Sequence, residues 1–156
     1  MQYQANNIAD FFLSQVDTNL GDTISPIKLQ KLVYYAQAWN YTIFDRPLFD
    51  ERVEAWTHGP VVRSIYERFK EYPIYSPLDL SEIRIDEIYF DSDTLAILND
   101  VNMIYGEHSG KYLEDLTHNE NPWINARAGI PPYLACTNEI TLKSMKSYYS
   151  KIREPK

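Results

Sequence analysis

The stretch that begins at Ser25-Pro26 restricts the fold of this chain more than any other. A capping residue followed by proline at the first helical position starts a helix. Behind it Leu29, Leu32, Val33, Ala36, Trp39 and Ile43 recur at helical spacing. That spacing points the six toward a core and leaves Lys28, Lys31, Gln37 and Asn40 on the opposite side. A long helix with one apolar face must be covered by other elements, and the rest of the chain supplies them.

Ile8, Phe11, Phe12, Val16 and Leu20 share one face of a first helix, with Asn6 or Asn7 as its cap and Gly21 as its stop. Gly59-Pro60 reads as the start of a helix carrying Val61, Val62, Ile65, Tyr66 and Phe69. Asp91-Ser92-Asp93 caps a helix bearing Leu95, Ile97, Leu98, Val101, Ile104 and Tyr105, which Gly106 ends. Ser109 caps a short helix with Leu113 and Leu116, and Thr137 or Asn138 caps a last one with Ile140, Met145, Tyr149 and Ile152. Val53 to Trp56 reads as a short strand. Ser81 to Phe90 reads as a second, with Ile83, Ile85 and Ile88 alternating between charged residues. Tyr72 to Leu80 reads as loop, and Asn121-Pro122 and Ile130-Pro131-Pro132 bound an irregular stretch around Trp123. The expected fold is mainly α: a compact single-domain helical bundle, residues 1–156, with a small two-stranded β-ribbon packed on the helices.

Charge and composition narrow the function. The 22 acidic residues against 15 basic ones give a net charge of -7, which disfavours a nucleic acid as the main ligand. The basic run Lys143, Lys146, Lys151, Arg153 and Lys156 reads as a solvated helix face that suits the negative end of the helix dipole. The 13 Tyr, 6 Phe and 3 Trp suit a contact surface and a core edge equally well. One cysteine, Cys136, excludes an internal disulfide and a multi-thiolate zinc site, and reads as a small, partly buried apolar residue. No signal-like N-terminus and no run near the ~20 apolar residues of a membrane span are present, so the expected place is the cytoplasm, with no membrane partner.

Catalytic patterns are tested and fail. His58, His108 and His118 include no pair at metal-binding helical spacing, and no cofactor or metal is expected. Gly106 to Lys111 superficially resembles a phosphate loop. Its first glycine stands one position too close, however, and Tyr112 stands where Ser or Thr belongs. A site assembled in space from His58, His118 and a carboxylate stays open as an alternative, hydrolase-like reading.

Three segments in series carry a resemblance. They are Lys28-Leu29-Gln30-Lys31-Leu32-Val33-Tyr34-Tyr35-Ala36-Gln37-Ala38-Trp39, Glu54-Ala55-Trp56-Thr57-His58-Gly59-Pro60-Val61-Val62 and Leu116-Thr117-His118-Asn119-Glu120-Asn121-Pro122-Trp123. In order and separation they resemble the Panacea domain, the family of the SocA antitoxin and the phage-associated GepA-like proteins, from about Ile8 to Tyr149. The resemblance implies a non-enzymatic antitoxin that neutralises a cognate toxin by direct contact. In SocA-like members it further implies an adaptor that brings the toxin to the ClpXP protease through ClpX. No appended helix-turn-helix or toxin domain is seen, which argues against autonomous DNA binding; a phage or mobile-element regulatory role is the other alternative. Candidate partner-binding residues are Lys28, Lys31 and Tyr35 on the long helix, Trp56 and His58 before Gly59-Pro60, and Thr117, His118 and Trp123 in the third segment. The toxin, the interface and the oligomeric state are not written in the sequence.

Overall fold

A computed structural model of the chain describes residues 2–153. Helix α2, Pro26–Phe44, forms its axis: Ser25 Oγ accepts from the Lys28 amide at 3.3 Å, and Asp45 ends the helix in the left-handed region with φ 58°. Around it pack α1 (Ala5–Ser14), α4 (Ser92–Tyr105), α5 (Gly110–His118) and α7 (Leu142–Arg153). Neighbours on several sides bury α2 nearly all round, which corrects the expectation of a single apolar face. Lys31, Gln37 and Asn40, expected on an open side, are buried, whereas Ile43 is exposed at the last turn.

The buried amides substitute for missing backbone partners. Gln37 accepts from the Leu48 amide at 2.7 Å and donates to the Phe49 carbonyl at 2.8 Å, pinning the chain that leaves the helix. Asn40 Nδ2 donates to the Arg46 carbonyl at 2.8 Å. Gln30 accepts from the Val62 amide at 3.0 Å and donates to the Val62 carbonyl at 3.1 Å. Each arrangement meets the rule that a buried backbone group needs a partner.

The sheet differs from the expected ribbon in its members. Strands β1 (Val53–Trp56) and β2 (Gly59–Val62) form an antiparallel hairpin with Trp56 opposite Gly59 and Val53 opposite Val62. A third strand, β3 (Glu139–Ile140), pairs with β1 on its other side, giving the order β2-β1-β3. Gly59-Pro60 therefore starts a strand rather than a helix, and α3 (Arg63–Phe69) begins three residues after Pro60. Proline is tolerated there because β2 lies at an edge of the sheet. Residues 81–90 are no strand; their alternating Ile83, Ile85 and Ile88 pack half-buried on the core without a strand partner.

Two further caps hold and two do not: α1 is not capped by Asn6 or Asn7, and α7 begins at Leu142, where Thr141 rather than Thr137 or Asn138 accepts from the Ser144 amide and Ile140 lies in β3. Asp91 and Ser109 cap α4 and α5 through the amides of Thr94 and Tyr112. Helix α1 starts after Gln4 and stops at Ser14. A short 3-10 turn, Thr18–Leu20, closed by Gly21 at φ 81°, fills the gap and leaves Leu20 exposed. Pro122-Trp123 lies in a short helix, α6 (Asn121–Ala126), where an irregular stretch is expected. Of the basic run, Lys143, Lys146, Lys151 and Arg153 lie on α7 and Lys156 lies outside the described residues. Among the described residues no helix is long and apolar enough to cross a membrane.

Candidate functional site

The turn between β1 and β2 presses on α2 and α5. Gly59 makes this possible: at φ +108° it holds a conformation that side chains resist, and a Cβ there would stand 2.5 Å from Lys31 Cε and 2.9 Å from Thr117 Oγ1. Lys31 is 1% exposed, and its one hydrogen bond among the described residues goes to the Pro60 carbonyl at 3.3 Å. Burial pulls its ammonium down to about 7, with the nearby Glu114 charge acting in the opposite sense.

Glu114 is buried on α5 and already engaged. His58 Nδ1 lies 2.9 Å from its Oε2, and the Tyr75 hydroxyl donates to its Oε1. Burial alone would raise this carboxyl, but the bonds from Tyr75 and His58 outweigh it and hold Glu114 below the usual range. Thr117, one turn along, donates from Oγ1 to the Glu114 carbonyl at 2.9 Å. His118 stacks on Trp123 with ring centres 4.1 Å apart, and its buried Nε2 has no hydrogen-bond partner among the described residues. Burial lowers the His118 pKa. Trp123 in turn donates its indole N–H to the Trp56 carbonyl at 2.8 Å.

From this polar corner an open groove of about 600 Å³ runs along α3, between the start of α2 and the segments 72–74 and 135–137. Val61, Ile65, Tyr66, Phe69, Tyr72 and Ile74 give it an apolar wall, and Trp56 faces Tyr66 with centroids 4.9 Å apart. Its ionisable lining comprises Lys31, His58, Arg63, Lys70, the two tyrosines and Cys136; no Asp or Glu lines it among the described residues. Carboxylates stand behind the lining. Glu54 is buried and accepts from Arg63 at 2.9 Å and from the Trp56 indole at 2.8 Å, and Glu67 pairs with Lys70 at 2.9 Å.

Six of the eight sequence-selected residues thus meet: Lys31, Trp56, His58, Thr117, His118 and Trp123. Lys28 and Tyr35 do not join them. Lys28 Nζ donates to the Gly106 carbonyl at 2.5 Å, at the end of α4. Tyr35 is fully buried in a separate cluster, where it stacks on Tyr105 at 3.9 Å and donates to Glu120 at 2.7 Å; Tyr149 donates to the same Glu120 oxygen at 2.9 Å. Burial raises the Glu120 carboxyl against these bonds. Glu114, Tyr75, Glu54 and Arg127 escaped sequence reasoning. Arg127 is buried and donates to the Ala55 carbonyl and the Pro131 carbonyl at 2.8 Å each, and to that of Leu134, tying the 131–134 loop to the sheet. Glu54 lies inside the second quoted segment; the other three carry no local signal. Among the described residues no three His, Cys, Asp or Glu side chains gather to hold a metal ion.

The fold and site define a mainly helical domain whose open, apolar groove is floored by a buried cation. A family model described as "Antitoxin SocA-like, Panacea domain" matches residues 29–124, which run from α2 through the hairpin, α3, α4 and α5 into α6, and the chain belongs to that family. No curated protein and no solved structure matches it.

Proposed function

We propose that the protein is the antitoxin of a toxin–antitoxin pair and neutralises its toxin by docking it at this groove. Family membership supports an antitoxin; the groove itself carries the choice of surface. It opens to solvent, its wall combines aromatic and aliphatic side chains, and a polar corner flanks it, the composition of the central part of a protein interface. Six of the eight candidate binding residues lie at or behind that corner. Trp56 and His58 line the groove with Lys31, while Thr117, His118 and Trp123 support the turn from below. The finer reading is an adaptor that presents the bound toxin to ClpXP in the cytoplasm, the whole of residues 1–156 acting as one domain.

Co-expression with the product of the adjacent open reading frame tests the proposal. The toxin is expected to copurify and its toxicity to be relieved, and Tyr66→Asp, which charges the groove wall, is expected to abolish both. A toxin that stays unbound and active, or one neutralised equally by the Tyr66 variant, counts against it. Stability of the toxin in cells lacking ClpX separates degradation from blockade.

The His58–Glu114 contact favours one second reading, a hydrolase-like site in which the carboxylate orients an imidazole at the mouth of a groove. Replacing His58 and His118 by Ala together separates the two. Unchanged neutralisation removes the catalytic reading.

A further inference from the structure

From the charges that line the groove we infer that its occupant is an acidic-apolar segment of the partner, which seats an aromatic or aliphatic side chain on the α3 wall and a carboxylate against Lys31, beside His58 and Arg63. The inference rests on the groove being the docking face. It follows from an imbalance. The chain as a whole carries seven more negative than positive charges, yet the lining of this one groove holds two lysines, one arginine, one histidine and no carboxylate.

Lys31 is the centre of that imbalance. An ammonium offers three donors, and this one makes a single long bond, to the Pro60 carbonyl. Glu114 does not complete it: the two form no ion pair within contact range, and the carboxylate is engaged by His58 and Tyr75, with Lys111 a further 3.8 Å contact. Arg63 and Lys70 are paired with Glu54 and Glu67, carboxylates that are not part of the groove lining. A buried cation with unused donors is costly to keep unless something supplies the missing acceptors, and an entering carboxylate does so with charge-assisted bonds. The apolar wall alongside sets the second half of the requirement: the acid must sit next to a large hydrophobic side chain.

Two probes of matched shape test this without the toxin. Backbone amide NMR of the full chain is titrated with N-acetylphenylalanine, which bears a carboxylate, and with N-acetylphenylalaninamide, which does not. The acid is expected to shift Lys31, His58, Val61 and Phe69 and to bind about tenfold more tightly than the amide, the size of one charge-assisted hydrogen bond. Lys31→Met, which keeps the buried stem, is expected to erase that difference. Should the Met variant fail to fold, the acid-to-amide comparison on the unaltered chain decides by itself. Equal binding of the two probes, no shifts at the groove, or shifts confined to another surface overturn the inference. The co-expression result is independent. A toxin captured through the groove while acid and amide bind alike keeps the antitoxin reading and removes the acidic occupant. A toxin not captured while the acid is preferred keeps the carboxylate site and removes the antitoxin reading.

Discussion

At Gly59 two independent restrictions coincide: a φ of +108° and no space for a Cβ between Lys31 and Thr117. Gly59→Ala is therefore expected to destabilise the fold by about 2 kcal/mol or more, since the strain of the conformation and the overlap act together. Urea denaturation measures it. Lys31 itself gives a pH signature. The unfolded chain keeps the lysine proton up to the ordinary value of 10.5, whereas the folded chain releases it near 7. Between those values the unfolded state binds more protons, so stability rises with pH, by up to about 1.4 kcal/mol per unit; below pH 7 both states are protonated and that gain is absent. Lys31→Met is expected to flatten the rise in a series of denaturation curves. Above pH 10 the trend reverses in both proteins. Burial pushes Tyr34 and Tyr35 above the ordinary tyrosine value, and the unfolded chain then ionises first. Lys31 also shows where the sequence misleads. Three residues from Lys28 and surrounded by helix formers, it looks like part of a wet face, and it is the packing of β2 and α5 on α2 that buries it.

Among the elements, three helices that start with a side-chain cap were legible, as was β1 (Val53–Trp56), whereas β2 and β3, fixed by pairing with it, were not. Ser25, Asp91 and Ser109 each bond an amide within their own first turn, so the signal and the structure share a few residues. Strand β3 exists only because Glu139 and Ile140 meet β1, more than eighty residues away, and nothing in a dipeptide announces that. Gly-Pro starts a helix or a strand alike, and the extended state of β2 is fixed only by β1 and by Gln30. The candidate site divides along the same line. His58 and His118 stood out in the sequence, but Glu114, which gives His58 its orientation, sits among ordinary helix residues. Gln37 gives the element-scale prediction. Gln37→Leu fits the volume but strips partners from the Leu48 amide and the Phe49 carbonyl, both buried. The expected loss is roughly 2–4 kcal/mol, read as a lower urea midpoint with an unchanged slope.

For the molecule as a whole, the family-matched segment 29–124 is less than the folding unit. It omits α1 and α7, which pack on α2, and β3, which pairs with β1. Tyr149 of α7 is completely buried against Tyr34 and Glu120, and Ile8, Phe12 and Leu13 of α1 are as deep. A fragment of residues 29–124 alone is expected to give poorly dispersed amide NMR spectra and no cooperative melt, whereas residues 2–153 give both. The sheet shows how one of its two edges, that of β2, is covered. An outer strand normally presents unmet main-chain groups that a second molecule can zip onto, the first step toward fibres. Here one carboxamide from the axial helix occupies the rim at Val62, so the ribbon has already been given its neighbour by its own chain, and crowding many molecules together offers them nothing there to extend.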